Sequence, residues 1–361
     1  MTEYVGMAMP RYDGVGQVKG QTKFVDDFVL PGMLYAKAVR SPVHKGVIRK
    51  VDTSAAEKIP GVVGFVMPKD IPGARFHGAC GDQPVLADEF ISYKGEDLAL
   101  VVAVDEDTCQ EALEAVKLDI EEQEPVFDMY KAMEPDAPLV RPNLKSNVWE
   151  YEPGMTTRVL YVGDVEQGLA EADHIVEGKY RTGEQDHAAM EPMVSVAHFD
   201  DAGRLAIHTH SQCLYFQLGQ LAAIFDLPLS QIRYIGGTVG GGFGGKNHIH
   251  ADHFAGLAAI KFRRPVKYRM TRREDLLYST KRGVFDLEYK TGVKKDGTLT
   301  ANHIKIWHDA GAFGGFSPYG VEKGGMFASG PYHIPHMRMD GQCVLTNKLG
   351  SSSMRGFTIM N

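Results

Sequence analysis

The feature that most constrains this chain is a glycine run near its middle. Residues 236–245 read GGTVGGGFGG, with seven glycines in ten positions, and they follow a β-type segment at residues 231–235. Glycine has no Cβ, so the backbone reaches positive φ and its N–H groups can close on an anion or a flat cofactor. Ordering so many glycines costs more conformational entropy than a turn without a ligand would require. The run therefore predicts a bare backbone surface on which a ligand lies.

Two nucleotide-binding interpretations fit this run incompletely. Gly240, Gly245 and Lys246 have the Walker spacing. However, Asn247 stands where a Ser or Thr hydroxyl should bind magnesium. The dinucleotide pattern G-x-G-x-x-G is also present, but residues 258–264 lack the acidic residue expected about twenty positions on. A P-loop-like nucleotide-binding module stays open as an alternative of another class.

A third interpretation comes from a family resemblance. Residues 240–246, GGGFGGK, resemble the pterin-contacting loop of the xanthine dehydrogenase and aldehyde oxidase family of molybdenum hydroxylases. Gln212 resembles the family's glutamine that faces the apical oxo ligand of molybdenum. Residues 353–357, SMRGF, resemble the second cofactor loop. Its arginine, here Arg355, approaches the metal through its backbone, and its phenylalanine, here Phe357, stacks on an aromatic substrate.

The resemblance implies a molybdenum–molybdopterin cofactor, expected in its dinucleotide form. The implied cofactor-binding residues are Gln212, Gly241, Gly242, Phe243, Gly244, Gly245 and Arg355. The implied catalytic residues are Gln212, Lys323 and Arg355, and the implied substrate residues are Asn247, Lys323 and Phe357.

Three positions depart from the purine-oxidising members of the family. Those members commonly carry a glutamate directly after the loop lysine; here it is Asn247, whose neutral amide both donates and accepts hydrogen bonds. Lys323 falls where they carry an arginine, and it keeps the charge without the planar fork. Its alternative role is a surface lysine paired with Glu322. Thr358 replaces a glycine, and because a β-branched residue does not readily take φ > 0, we expect that loop to be rearranged.

The polar residues around the loop do not predict a metal site. His248, His250 and His253 follow the loop directly. Because positions two apart face different sides of a helix, we interpret them as the start of a helix beside the loop. The family's molybdenum is held by the pterin dithiolene, so no protein metal ligand is predicted. Glu191, in an element similar to a glutamate–proline strand end of the family, is expected to be structural.

The fold class predicted for the chain is α+β. Segments within residues 20–44 resemble the family's opening α/β hammerhead domain. Proline, asparagine and acidic residues then favour a linker. The first part of a molybdenum-cofactor-binding domain should follow. The predicted boundaries are 1–127 for the hammerhead domain, 128–151 for the linker and 152–361 for the incomplete cofactor-binding domain.

Several elements of the second domain can be predicted individually. Asp164 begins a short helix with capping-box spacing, and a strand should cover residues 174–182. Apolar spacing predicts a helix over residues 215–225. An Asp-Gly pair between residues 285–293 and 299–307 is typical of a hairpin.

Composition excludes several protein classes. A net charge of −7 without a basic, aromatic-rich segment argues against nucleic-acid binding. Apolar runs are too short to span a bilayer and the N-terminus shows no signal sequence, so we expect a cytoplasmic protein. The four cysteines form no C-x-x-C pair, so neither an iron–sulfur cluster nor a structural zinc site is predicted.

The resemblance implies a xanthine dehydrogenase-like catalytic subunit that oxidises a purine or other N-heteroaromatic substrate with water-derived oxygen. An aldehyde or nicotinate-type hydroxylase is the alternative within the class. The implied partners are an iron–sulfur subunit and an FAD subunit. The family's general base is a glutamate far beyond Asn361, so we expect a C-terminal half, on a second polypeptide or in missing sequence, without which the chain is inactive.

Overall fold

The computed structural model describes residues 4–358, which form eight α-helices and nineteen strands. The last three residues of the predicted second domain lie outside this range. The helices are α1 Gly14–Val18, α2 Glu106–Ala115, α3 Met129–Ala132, α4 Val165–Ala170, α5 Leu214–Phe225, α6 Asp252–Phe262, α7 Arg272–Tyr278 and α8 Ser317–Phe327. The strands are β1 Leu34–Arg40, β2 Gly46–Asp52, β3 Val62–Val66, β4 Phe76–His77, β5 Gln83–Pro84, β6 Phe90–Ile91, β7 Asp97–Ala103, β8 Lys117–Glu122, β9 Arg158–Val162, β10 His174–Thr182, β11 Val194–Phe199, β12 Leu205–Thr209, β13 Ile232–Gly236, β14 Val266–Arg269, β15 Lys281–Arg282, β16 Phe285–Val293, β17 Leu299–Gly311, β18 His336–Leu345 and β19 Ser351–Ser352.

The largest sheet joins both halves of the chain. Its seven strands run in the order β13-β12-β11-β14-β1-β7-β3. Strand β1 pairs antiparallel with β7 and parallel with β14, where Leu34 lies opposite Val266. Residues 98–103 of β7 are all buried, as their continuous apolar sequence requires of a strand covered on both faces. The sheet therefore combines strands from before and after the predicted linker.

A second sheet carries the long hairpin. Its order is β10-β16-β17-β18-β9, and α4 and α8 pack against it. The predicted hairpin is confirmed, with Gly297 at φ 90° in the turn between β16 and β17. The predictions of the strand at 174–182, of the helix that becomes α5 and of the helix that begins after Asp164 are also confirmed. The α+β class is thus correct.

The segment predicted as a linker is packed against the body of the protein. Asp128 caps the short helix α3 by accepting hydrogen bonds from two backbone N–H groups. Met129, Ala132 and Val140 are buried in a core cluster with residues of β17 and β18. The exact domain boundaries stay a prediction.

The glycine run lies at one end of the large sheet. Strand β13 ends at Gly236, and after the run a single 3₁₀ turn, Gly245–Asn247, leads to α6. Residues 252–259 of α6 are buried beneath the sheet. The chain that follows the glycine run is therefore anchored in the core. None of the helices in residues 4–358 is long and apolar enough to cross a membrane.

Candidate cofactor site

A buried ion pair fixes the two ends of the glycine loop, residues 240–247. The Lys246 side chain is 1% exposed, and its Nζ lies 2.8 Å from Glu191 Oε2. The same carboxylate oxygen accepts a hydrogen bond from Gly240 N–H at 2.8 Å. Burial lowers the pKa of Lys246, and the Glu191 carboxylate opposes that shift. A Walker lysine has to face a phosphate, whereas this lysine points into the protein.

Gln212 holds the middle of the loop with one end of its side-chain amide. Its Oε1 accepts hydrogen bonds from the N–H groups of Gly244 and Lys246, at 3.1 and 3.2 Å. A Cβ at Gly242 would lie 2.5 Å from Gln212 Oε1, so only glycine fits there. Gln212 is exposed, and within residues 4–358 its Nε2 has no acceptor. The amide NH₂ group is therefore available to a ligand.

Three consecutive backbone N–H groups of the loop are also unpaired; Gly241 and Phe243 are at least partly exposed, whereas Gly242 is buried. Those of Gly241, Gly242 and Phe243 meet no acceptor in the part of the chain that the structure describes. Gly241 and Phe243 have φ of 95° and 54°. Successive N–H groups in such alternating conformations form an anion-binding concavity, and a non-glycine residue at positive φ is a feature of functional loops. The N–H groups of Gly244 and Gly245 instead bond to Gln212 and to Gly242 O.

The second predicted loop is hydrogen-bonded directly to the first. Arg355 N–H donates to Phe243 O at 2.8 Å, and Ser353 Oγ donates to Gly244 O at 3.2 Å. A Cβ at Gly244 would clash with Ser353 O. Gly244 thus allows the two loops to touch, and Arg355 lies beside the glycine loop; its approach to the metal stays a prediction.

Asn247 connects the loops rather than facing outward. Its Nδ2 donates to Ser353 Oγ at 2.8 Å, and its Oδ1 accepts from Cys213 Sγ at 3.3 Å. Both ends of the amide are therefore used inside the protein. A direct contact of Asn247 with a substrate stays a prediction, and these bonds do not favour it.

Lys323 lies beside Phe357, as expected if both face one substrate. Its Nζ is 5.6 Å from the centroid of the Phe357 ring, in a cation–π arrangement. Among residues 4–358 no ion pair joins Lys323 to Glu322, whose carboxylate pairs with Arg158 at 2.8 Å, so the structure does not favour the alternative role of Lys323.

Aromatic rings continue from Phe357 toward the glycine loop. The Phe316 ring lies 6.3 Å from Phe357, edge to face, and 5.8 Å from Phe216. Phe216 is half exposed at the start of α5, four residues after Gln212. The rings form a wall that suits a planar substrate.

Thr358 takes positive φ despite its β-branched side chain, so the reason for expecting a rearranged loop does not hold. Phe357 and Thr358 have φ of 40° and 72°. Gly320 and Gly324 of α8 leave the space for the threonine side chain, since a Cβ at Gly320 would be 3.3 Å from Thr358 Cγ2. Long-range packing against a glycine face of α8 thus overrides the local preference.

Two residues that support the site were missed by the sequence analysis. Gln217 is fully buried; its Nε2 donates to Lys246 O and His248 O, at 3.1 and 2.9 Å. His187 Nε2 donates to Ser353 O at 2.8 Å. A glutamine at helical spacing from Leu221 on an apolar face was the available signal for Gln217. No local signal marks His187.

Of the histidines after the loop, His248 and His253 are buried and His250 is partly buried. Burial lowers the pKa of His248 to about 3, and it lowers the pKa of His250 and His253 as well. Helix α6 begins at Asp252, so only His253 lies in it; the helical interpretation is wrong for His248 and His250, which precede the helix. Among residues 4–358, no group of three or more His, Cys, Asp or Glu side chains could hold a metal ion.

The arrangement fits a molybdopterin whose metal is bound through its own dithiolene. A row of free N–H groups, at Gly241, Gly242 and Phe243, offers donors to the polar edge of a pterin. The free amide of Gln212 adds a donor beside it. The site requires no protein ligand for the metal.

Two family models match the chain. The molybdopterin cofactor-binding domain matches residues 148–360, and the aldehyde oxidase and xanthine dehydrogenase a/b hammerhead domain matches residues 19–124. A probable xanthine dehydrogenase subunit of Bacillus subtilis (strain 168) is 36% identical over 96% of this chain and 46% of its own length. The nicotinate dehydrogenase large molybdopterin subunit of Eubacterium barkeri is 33% identical over 99% of this chain and 82% of its own length.

A solved structure agrees with these matches. The aldehyde oxidoreductase of Desulfovibrio gigas superposes with a TM-score of 0.91 at 29% identity, over 97% of this chain and 39% of that chain. This chain thus spans less than half the length of the Bacillus and Desulfovibrio proteins. The chain belongs to the xanthine dehydrogenase and aldehyde oxidase family, as a protein that binds the molybdopterin cofactor.

Proposed function

We propose that this chain forms the molybdopterin-binding wall of a xanthine dehydrogenase-like hydroxylase that oxidises a purine or other N-heteroaromatic compound. The observation that carries the proposal is the row of free N–H groups from Gly241 to Phe243 beside the free amide of Gln212. A ligand that accepts several hydrogen bonds from bare backbone is what this row would bind.

Each residue of the site would have a limited task. When bound, the cofactor supplies the two-electron oxidation and the transfer of oxygen from water. Gly241, Gly242 and Phe243 would hold the pterin, and the Gln212 amide would donate a hydrogen bond toward the metal's oxygen ligand. Phe357 would align the substrate ring. Lys323, beside that ring, would stabilise negative charge that develops on the substrate.

The reaction also needs groups outside the described residues. The proposed electron route runs through iron–sulfur clusters and FAD on partner subunits, since the chain's four cysteines are separate and free. The general base would come from a C-terminal portion of the catalytic subunit. Activity should therefore be measured on the assembled enzyme.

Gln212 provides a test with two contrasting variants. Gln212→Glu keeps an acceptor for the N–H groups of Gly244 and Lys246 but removes the NH₂ donor; Gln212→Ala removes both functions. We expect both variants to lower kcat by about a hundredfold, the effect of losing one preorganised donor. Only Gln212→Ala should also loosen the loop and lower molybdenum content. Gln110→Ala, on the exposed face of α2, is the control.

Unchanged kcat in Gln212→Glu at full molybdenum content would remove Gln212 from the catalytic set.

The nucleotide-binding alternative is tested on the same preparations. Molybdenum and a fluorescent pterin after oxidative release support the proposal. Tight ATP binding by metal-free protein would support the alternative, although Lys246 is buried against Glu191.

A nicotinate-type activity is the second candidate. Lys323 carries a positive charge next to the aromatic wall, which suits an aromatic carboxylate. The Eubacterium relative, named a nicotinate dehydrogenase subunit, is also matched over most of its length. If this candidate is correct, Lys323→Met should raise KM for nicotinate about tenfold or more while changing KM for neutral hypoxanthine little. Faster turnover of hypoxanthine than nicotinate by the unmodified enzyme favours the purine assignment.

A further inference from the structure

A separate cavity of about 220 Å³ is lined by residues of the first part of the chain, by residues 141–143 and by Phe313, which lies between β17 and α8. Phe313 forms a buried wall, and Phe76 and Phe90 form the mouth with exposed fractions of 55% and 39%. None of the lining residues belongs to the glycine loop or to residues 351–357. A cavity of about 150 Å³ is enough to hold benzene, so this one admits a substituted six-membered ring.

Three lining residues, Asp82, Glu96 and Arg141, form a polar floor whose hydrogen bonds are incomplete. Glu96 is 3% exposed; its Oε2 accepts from Ser92 N–H at 2.6 Å. Arg141 is 7% exposed and donates from Nη2 to Asp82 Oδ2 at 3.0 Å. Glu96 Oε1, Arg141 Nε and Asp82 Oδ1 are all buried and have no partner among residues 4–358.

These three atoms define a hydrogen-bonding pattern. Arg141 Nε is always a donor, and the ion-paired carboxylate of Asp82 offers an acceptor. Burial raises the pKa of Glu96 to about 8, so at neutral pH its carboxyl group both donates and accepts. A donor and an acceptor on adjacent ligand atoms, as in an amide, would satisfy the pattern. A carboxylate has no donor for Asp82, and an amine has no acceptor for Arg141.

The mouth of the cavity argues against an anion. Asp88 and Glu89 line it and are exposed. Asp88 pairs with Arg75 at 2.6 Å, so the negative charge that repels carboxylates and phosphates here is that of Glu89. The Arg141 guanidinium lies 4.7 Å from the centroid of the Phe313 ring, so the apolar wall and the polar floor meet in one continuous surface.

We propose that this cavity is a binding site for a small, uncharged, planar carboxamide or lactam. The ring of the ligand lies against the phenylalanine walls, and its amide edge bonds to Glu96, Arg141 and Asp82. The site is distinct from the candidate cofactor site, and its occupation does not depend on the function proposed above.

The test is direct binding to the intact protein that carries this chain. Fluorine NMR with para-fluorobenzamide as the probe measures Kd, and para-fluorobenzoate and para-fluorobenzylamine are the matched acidic and basic probes. We expect the benzamide to bind at least tenfold more tightly than either charged probe.

Substitutions in the cavity test whether the probe binds there. Phe76→Ala trims only the exposed mouth and should weaken benzamide binding about fivefold. Glu96→Met should weaken it at least tenfold, because the probe's amide loses a partner. Tyr161→Ala, which removes an exposed ring far from the cavity lining, is the control. Since Glu96 also bonds to Ser92, the Phe76 variant keeps the test valid if Glu96→Met does not fold.

Three outcomes would overturn the proposal. Benzamide could fail to bind at millimolar concentration, or bind no better than the charged probes. Its Kd could also be unchanged in Phe76→Ala, which would place the bound probe elsewhere.

Discussion

At the scale of single residues, Lys246 and Glu191 determine how the loop is held. Both side chains are buried, with exposed fractions of 1% and 8%, and the carboxylate also bonds to the loop backbone at Gly240. A buried pair gains little net stability over apolar residues, but breaking it leaves an uncompensated charge. Its role is therefore to fix the loop in one position.

Removal of the buried carboxylate gives the first residue-scale prediction. We expect Glu191→Ala to lower the free energy of unfolding by about 3–5 kcal/mol, because the Lys246 ammonium is left buried and unpaired. Urea denaturation measures this loss. The matched control is Glu288→Ala, which breaks the Lys179–Glu288 pair, whose lysine side chain is 82% exposed; there we expect a loss below about 1 kcal/mol. Equal losses in the two variants would contradict the positional role of Glu191.

The resemblance to a known family predicted which segments of the chain meet at the site. The glycine loop, Gln212 and the 353–357 segment lie together, as their resemblance to one family implies. The sequence could not reveal that the amide of Asn247 is used up by Ser353 and Cys213. Such contacts join residues far apart in the chain, and only the folded arrangement determines them.

At the scale of elements, the site consists of two loops that support each other. The N–H groups of residues 241–243 in the glycine loop have no acceptor among residues 4–358, and the second loop bonds to the glycine loop through Arg355 and Ser353. Gly244, at φ 100°, is the point of closest approach. A side chain at this position should separate the loops.

Gly244→Ala tests this mutual support. We expect it to lower the free energy of unfolding by at least about 2 kcal/mol, from left-handed backbone strain and from the clash with Ser353 O. Molybdenum content should fall as well. Gly219→Ala, in α5 with open space around it, is the control and should leave stability unchanged or raise it by up to about 1 kcal/mol. Full molybdenum content in Gly244→Ala would show that contact between the loops is not needed for cofactor binding.

Elements with strong local signals were predicted well, and elements set by distant packing were not. The β16–β17 hairpin and α4 follow from an Asp-Gly turn and an aspartate cap. The conformation of Thr358 depends instead on Gly320 and Gly324, which lie on another element. Local preference is a reliable guide only where no long-range contact opposes it.

At the scale of the whole molecule, buried histidines link stability to pH. Burial lowers the pKa of His77 to about 4 and that of His248 to about 3. The unfolded chain takes up these protons near the ordinary value of about 6.5, whereas the folded protein does not. The stability that these groups contribute is therefore complete above about pH 6.5 and is lost as the pH falls toward 4.

Urea midpoints between about pH 7.5 and 4.5 measure this dependence. His77→Phe should make the decline shallower, because one buried ring no longer titrates. His174→Gln, at an exposed position, should leave the slope unchanged. A midpoint that is flat from pH 7.5 to 4.5 would contradict the assignment of these rings as neutral in the folded state.

The continuous seven-stranded sheet makes the two halves of the chain interdependent. Strand β1 lies between β7 and β14, and one core cluster contains Leu34 and Leu100 together with Ile207 and Leu257. Composition predicted only the linker at residues 128–151, because composition reports the polarity of a segment but not which strands pair. Residues 1–127 alone would expose the edge of β1 and the apolar face that α6 covers.

We therefore expect a fragment of residues 1–127 to be unfolded or aggregated, whereas the whole chain unfolds in one cooperative transition. The amide region of a proton–nitrogen NMR spectrum distinguishes the two states. Co-expression of residues 128–361 should restore a soluble complex, because α6 then covers the apolar face of the sheet and β14 pairs with the edge of β1. A well-dispersed spectrum from the isolated fragment would show that β1, β3 and β7 form a sufficient core alone, and that the shared sheet joins two independently stable units.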